Sequence, residues 1–394
     1  MTGYSTLSGF STAELTAYVL MWAIFGALPG FYLFYANNRN PRTGASIGVI
    51  VGVALGWMLA AFDTQLEIST LSSTVIILWL TALLLAFILP RGDHKRLVSL
   101  QQSIADLAYG LLLPTFILVF AIVIFPMIWN LVFSLRPIRM RDLQAVDIFS
   151  LDGLGLRNFE RVFATRGGQF WHIMGTTFFY TFSGSLLAIF LGLVAALVAK
   201  DAFPGRGIFR GFMLFPYIAP VISLAFIWDM ILNSRFGLAN EVISALGGTR
   251  IDFLTTKGWA LLMIILFQGW RYFPFAFLFI LARIQAIPED MYEAAKVDGA
   301  APSERLWYIT LPQLRAVFGT LFLLRFIWTF NKFDDVFLLT GGVADTEVIP
   351  VQIYNWLFSR QNVGTASATA VVMAAILFVV VAVYFRWFMV TEEV

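Results

Sequence analysis

Long apolar runs separated by short polar loops make up most of the chain. A membrane-spanning helix needs roughly 20 largely apolar residues. Nine segments qualify, at about 15–35, 47–62, 71–89, 109–133, 173–198, 212–232, 259–281, 316–337 and 366–388. The second is short, and its Gly48, Gly52 and Gly56 share one face where another helix can pack closely. The pattern predicts an all-α polytopic membrane protein with about nine transmembrane helices. Composition agrees: 59% of residues are hydrophobic, 13% are charged, and mean hydropathy is +0.81. A soluble domain is about half apolar and about a quarter charged. No Lys or Arg precedes the first run, so it reads as a span rather than a cleavable signal.

Lys and Arg in short loops set the orientation. Arg39 and Arg42 follow the first span, and Arg91, Lys95 and Arg96 follow the third. Lys200, Arg206 and Arg210 follow the fifth, Arg283, Lys296, Arg305 and Arg315 the seventh, and Arg386 ends the last. All fall on one face, which predicts an N-terminus outside and a C-terminus in the cytoplasm. Two outer loops depart from the rule. Segment 134–172 holds Arg136, Arg139, Arg141, Arg157, Arg161 and Arg166, partly balanced by Asp142, Asp147, Asp152 and Glu160. The loop after the sixth span holds Arg235, Arg250 and Lys257.

Several chemistries are excluded. With zero Cys there is no disulfide and no Cys-ligated metal. His94 and His172 lie in polar loops far apart in sequence and suggest no metal site. No Gly-x-x-x-x-Gly-Lys-[Ser/Thr] phosphate loop and no nucleophile–base set occurs. The chain therefore reads as a non-enzyme that binds no cofactor and no nucleic acid.

The polar loop 284–315 stands out between two apolar runs. Pro288 fits the first turn of a short helix, with Glu289 and Asp290 at its positive end. Gly299 breaks that helix. Pro302 and Ser303 can start a second, which Pro312 ends. Ala294 and Ala295 give the surface little bulk, while Glu293 and Asp298 give it charge, a shape suited to a groove in another protein. Residues Glu293-Ala294-Ala295, two variable, Asp298-Gly299-Ala300, eight variable, Ile309, one variable, Leu311-Pro312 match without a gap the EAA signature. The chain resembles the permease subunits of binding-protein-dependent ABC importers, which carry that signature.

Two spans hold polar side chains at membrane depth, where they normally face protein or water. Span seven contains Trp270, Arg271, Tyr272 and Phe275, with Pro274 freeing a backbone carbonyl. Span eight contains Arg325, Trp328, Thr329 and Lys332 at i, i+3, i+4 and i+7, on one helical face. Aromatic faces suit the C–H faces of a sugar ring. The same residues also fit packing aromatics and an ion-pair network, for instance Lys332 with Asp335. Asp229, near the end of span six, is a further acid that fits the membrane interface.

Phe330-Asn331-x-Phe333-Asp334 followed by Leu339-Thr340-Gly341-Gly342 resembles the penultimate span of carbohydrate permeases in that family, the larger subunit class of the maltose type. The resemblance implies a six-helix type I importer core over residues 108–394, with three N-terminal helices in 1–107 as an extension. It implies coupling to an ATPase through Glu293, Ala294, Ala295, Asp298, Gly299, Ala300 and Pro312. It also implies a sugar pathway lined by Trp270, Arg271, Tyr272, Phe275, Arg325, Trp328, Thr329 and Lys332. The cargo would be a di- or oligosaccharide or a glucoside, carried across a bacterial inner membrane. Partners would be a second homologous permease, two ATP-binding subunits holding ATP and Mg, an extracytoplasmic sugar-binding protein and membrane lipid. The cationic Arg271 and Lys332 depart from the family pattern and leave room for an acid-bearing sugar, unless Asp229, Asp334 or Asp335 neutralises them. Importers of polyol phosphate or polyamine, and an ion-coupled secondary carrier, remain as alternatives.

Overall fold

A computed structural model describes residues 118–143, 153–164 and 169–388, with residues 112 and 115. The expected spans at 15–35, 47–62 and 71–89 lie outside the described residues. So do their basic loops and the first part of the fourth span. The helices are α1 (Phe125–Ser134), α2 (Arg157–Phe163), α3 (Gln169–Ala199), α4 (Arg206–Met213), α5 (Phe215–Ile218), α6 (Val221–Leu232) and α7 (Leu238–Ala245). They continue as α8 (Trp259–Gln285), α9 (Glu289–Val297), α10 (Pro302–Arg305), α11 (Leu311–Phe330), α12 (Asp334–Leu339), α13 (Ile349–Tyr354) and α14 (Val363–Phe388). No strand occurs among the described residues. The described parts of Trp129–Leu143 and Gly155–Val394 belong to one compact unit, and the contacts below lie within it.

Among the described residues, four helices are long and apolar enough to cross a membrane: Gln169–Ala199, Trp259–Gln285, the unbroken stretch Pro302–Phe330, and Val363–Arg386. The expected sixth span is not one straight helix. Arg206–Ile218 and Val221–Leu232 meet at 94°. Ala219 leaves the helical region, at φ −65° and ψ 144°, because the ring of Pro220 disfavours an α conformation in the residue before it.

The eighth span also differs from expectation. Pro312 does not end the short second helix; it sits in the first turn of α11, and the helix runs on from Pro302. A π turn at Leu306–Thr310 precedes it. That wider turn is compatible with a proline, whose ring would press on the carbonyl four residues back in an α-helix. At its far end α11 stops at Phe330, so Lys332 lies beyond the helix and Asp334 opens α12.

α3 and α8 form the most intimate pair. Their approach uses absent side chains: a Cβ on Gly192 would lie 2.7 Å from the Ala276 Cβ and 2.8 Å from the Phe277 backbone nitrogen. Small residues at such a seam let backbones come close where lipid supplies no hydrophobic drive. Ala195, Ala196, Ala276, Phe277, Ile280, Leu314 and Leu321 fill the core that α3 and α8 share with α11. Gly192→Leu should therefore force the pair apart, at the cost typical of overpacking, about 1–3 kcal/mol or more. A thermal-shift measurement on the purified protein should show a clear drop, whereas an unchanged midpoint would contradict this close approach.

Asn158 ties α2 to the chain after α1. Its Nδ2 donates to the carbonyls of Ser134 and Arg136 at 3.0 and 2.7 Å. The Thr365 hydroxyl on α14 donates to its Oδ1 at 3.4 Å.

Candidate functional site

One buried cluster of charge and aromatic rings joins α3, α8, α11 and α12. Its centre is Tyr272, whose flanking α8 residues place Gln268 one turn before it and Arg271 beside it. Arg271 Nη1 donates to Asp335 Oδ1 at 3.2 Å and also to the Tyr272 hydroxyl. Asp335 is fully buried and accepts further bonds from the Tyr272 hydroxyl at 3.4 Å and the Tyr180 hydroxyl at 3.5 Å. A buried carboxylate is tolerable only with such partners. The Arg325 guanidinium carbon lies 4.2 Å from the centroid of the Tyr272 ring, a cation–π distance. Arg325 Nη2 and Gln268 Nε2 both donate to the Thr329 hydroxyl, at 3.0 and 2.7 Å. Lys332 Nζ lies 5.5 Å from the same ring centroid and pairs with Asp334 at 3.0 Å.

Five residues expected along a pathway thus meet around one ring: Arg271, Tyr272, Arg325, Thr329 and Lys332. Phe275 and Trp328 touch each other edge to face at 5.1 Å, and Tyr217 joins them from α5 at 6.4 Å from Phe275. Trp270 turns elsewhere and packs on Trp228 at 5.7 Å. The expected partner of Lys332, Asp335, is instead taken by Arg271, because α11 ends before Lys332 and breaks the i, i+3 geometry. Asp229 is exposed and has no part in the cluster. Tyr180, Tyr217 and Gln268 escaped the sequence reading. Gln268 carried a signal, as an amide one turn from Tyr272 inside an apolar run. Tyr180 carried none, since it stands 155 residues from the carboxylate it reaches.

The second site is the polar loop. Pro288 caps α9 rather than entering its first turn, and Glu289 and Asp290 occupy that turn. The helix ends in a left-handed closure at Gly299, φ +80°. The Gly299 amide bonds to the Lys296 carbonyl at 3.1 Å and the Ala300 amide to the Ala295 carbonyl at 2.8 Å, the Schellman pattern. The Ala301 amide donates to Glu304 at 2.7 Å and starts α10. The loop is tied to its base: Tyr292 and Thr310 share a hydroxyl bond of 2.9 Å, and Arg283 holds Gln313 at 2.7 Å. Beyond these ties it is uncovered. Glu293, Ala294, Asp298 and Gly299 are exposed, and so are large apolar side chains, with Val297 at 87%, Tyr308 at 80% and Trp307 at 65%. Large exposed apolar side chains of this kind are typical of surfaces that contact a protein or a membrane.

Comparisons with known proteins give the chain's family and the likeness of its fold. Residues 188–390 match the family described as binding-protein-dependent transport system inner membrane component. The chain is 32% identical to a trehalose/maltose transport system permease protein of Thermococcus litoralis, over 75% of this chain and 97% of that protein. It is 31% identical to a sulfoquinovosyl glycerol transport system permease protein of Agrobacterium fabrum, over 75% of this chain and 96% of that one. Its fold is similar to a chain of a bacterial ABC transporter involved in import of the acidic polysaccharide alginate. The TM-score there is 0.64 at 22% identity, covering 74% of this chain and 98% of that one.

Proposed function

Since the chain belongs to the family of binding-protein-dependent transport system inner membrane components, we propose that it is the membrane-spanning permease of an ABC importer that carries a sugar across the inner membrane. It does no chemistry on its cargo, and ATP is hydrolysed on partner subunits. Full-length relatives named for trehalose, maltose and sulfoquinovosyl glycerol support a sugar as the cargo class.

The observation that carries the reading is the exposed closure at Glu293–Ala300. Two ATP-binding subunits, holding ATP and Mg, would receive this loop and the matching loop of a second permease. Closing of the ATPase pair on ATP would pull the loop, and the ties Arg283–Gln313 and Tyr292–Thr310 would pass that displacement to α8 and α11. Those two helices carry the Tyr272 cluster, so the cargo path would change its access as the loop moves. An extracytoplasmic binding protein would deliver the sugar to the open side. Nine spans, with the N-terminus outside, the C-terminus cytoplasmic and residues 1–107 as an extension to the 108–394 core, fit the basic-loop pattern.

The pairing of Arg271 with Asp335 and Lys332 with Asp334 weighs against an ion-coupled carrier, because these charges are already engaged with each other. The exposed acid Asp229 does not supply the acidic lining a polyamine needs. Uptake by proteoliposomes containing the assembled importer should require internal access to ATP and be abolished without it. Uptake driven by a proton or sodium gradient with no ATP would sink the proposal. The isolated chain should show no saturable ATP turnover.

A further inference from the structure

Three cationic heads converge on the Tyr272 ring, with Arg325 and Arg271 guanidinium carbons at 4.2 and 4.9 Å and Lys332 Nζ at 5.5 Å from its centroid. Two carboxylates answer them, Asp335 for Arg271 and Asp334 for Lys332. Arg325 is left over. Among the described residues no carboxylate lies within ion-pair distance of it. It is 3% exposed, and its one hydrogen bond to a side chain goes to the neutral Thr329 hydroxyl. Nε of Arg271 and Nε of Arg325 lack partners, as do Oε1 of Gln268 and the hydroxyls of Thr181 and Ser185 on α3. The Thr329 hydroxyl accepts from two donors already, so it offers its own proton outward rather than another lone pair.

A buried charge without an ion-pair partner of its own is costly, and one cation–π contact returns only part of that cost. A site selected for neutral hydroxyls gains nothing from that cost. A site selected for an anion does, because a carboxylate arriving from water exchanges its hydration for the already desolvated Arg325 guanidinium.

We infer that the cargo supplies the missing negative charge: the Tyr272 cluster takes a sugar bearing a carboxylate or sulfonate, and Arg325 is the residue that selects for it. The assignment rests on the sugar-importer reading above and narrows its substrate class. Asp334 and Asp335 would keep the site from holding the anion too tightly to release it.

The test uses the complete importer in proteoliposomes with saturating binding protein. The probes are a glucuronate-containing disaccharide and the neutral disaccharide of the same linkage, each measured for ATP-dependent uptake. Wild type should favour the acidic sugar. Arg325→Gln should lower its uptake about tenfold or more beyond any loss of neutral uptake, the difference expected for a charge-assisted hydrogen bond. Arg325→Lys should retain most of the acidic uptake. Comparing each variant with wild type cancels the preference of the binding protein. Equal loss for both sugars in Arg325→Gln would overturn the assignment, as it would if a carboxylate of the second permease were the true counter-ion. If neither variant assembles, the wild-type preference decides: faster neutral uptake overturns the assignment and faster acidic uptake supports it. Uptake of both sugars that ignores ATP overturns the importer reading, and the anion assignment falls with it.

Discussion

Gly299→Asp is expected to abolish transport while the protein stays in the membrane. Gly299 has φ +80° and closes α9 through the bonds of its own amide and the Ala300 amide. A side chain in this left-handed region costs roughly 1–2 kcal/mol, and Asp is among the residues that tolerate it best. Among the described residues nothing lies within 4 Å of a Cβ at this position. The strain is therefore small and no internal clash is added. What changes is the exposed tip of the loop proposed to dock, which gains a carboxylate beside Asp298. Gly299→Ala serves as the control, adding the strain without the charge, and should keep most of the activity. In the purified complex, Gly299→Asp should lose ATPase subunits or lose sugar-stimulated hydrolysis. Normal subunit content with normal stimulation would show that this loop does not couple the two machines.

Asp335→Ala should have the largest effect on stability. It strands Arg271 in a buried site and removes the acceptor of the Tyr272 and Tyr180 hydroxyls. Breaking a buried ion pair by removing one partner costs about 3–5 kcal/mol, because the remaining charge is uncompensated. The variant should accumulate poorly or melt far below wild type. Replacing both partners, Arg271→Met with Asp335→Leu, should recover most of that loss, since apolar replacement of a buried pair is often near neutral. The double variant need not transport. A single variant as stable as wild type, or a double no better than the single, would remove this pair as a structural anchor.

Much of this architecture was legible along the chain. α8 begins at Trp259, where its apolar run begins, and α3 and α14 follow the runs at 173–198 and 366–388. Long apolar segments leave helix as the one way to satisfy backbone groups in lipid. Two of the failures involved proline. Pro220 broke a run that hydropathy alone joins, at 94°, and Pro312 was carried by a π turn where a stop was expected. The polar loop after α8 was legible because its closures are local: the Gly299 amide donates to the Lys296 carbonyl, and Glu304 accepts from the Ala301 amide. The cluster was legible only as a set of polar residues out of place in apolar runs. Its pairing was not, since Arg271 and Asp335 are 64 residues apart and meet only when α8 packs against α12. The periodicity of α11 pointed to Lys332 with Asp335, but that extrapolates a helix that ends at Phe330.

The proposed seating of the loop after α8 in an ATPase subunit can be trapped directly. The chain has no Cys, so a single Val297→Cys, at the most exposed apolar position of α9, gives a unique handle. A short thiol crosslinker applied to the assembled importer should join this chain to an ATP-binding subunit, with a yield that changes when ATP is bound. Crosslinking to the extracytoplasmic binding protein instead, or no crosslink to an ATP-binding subunit under any nucleotide condition, would contradict it.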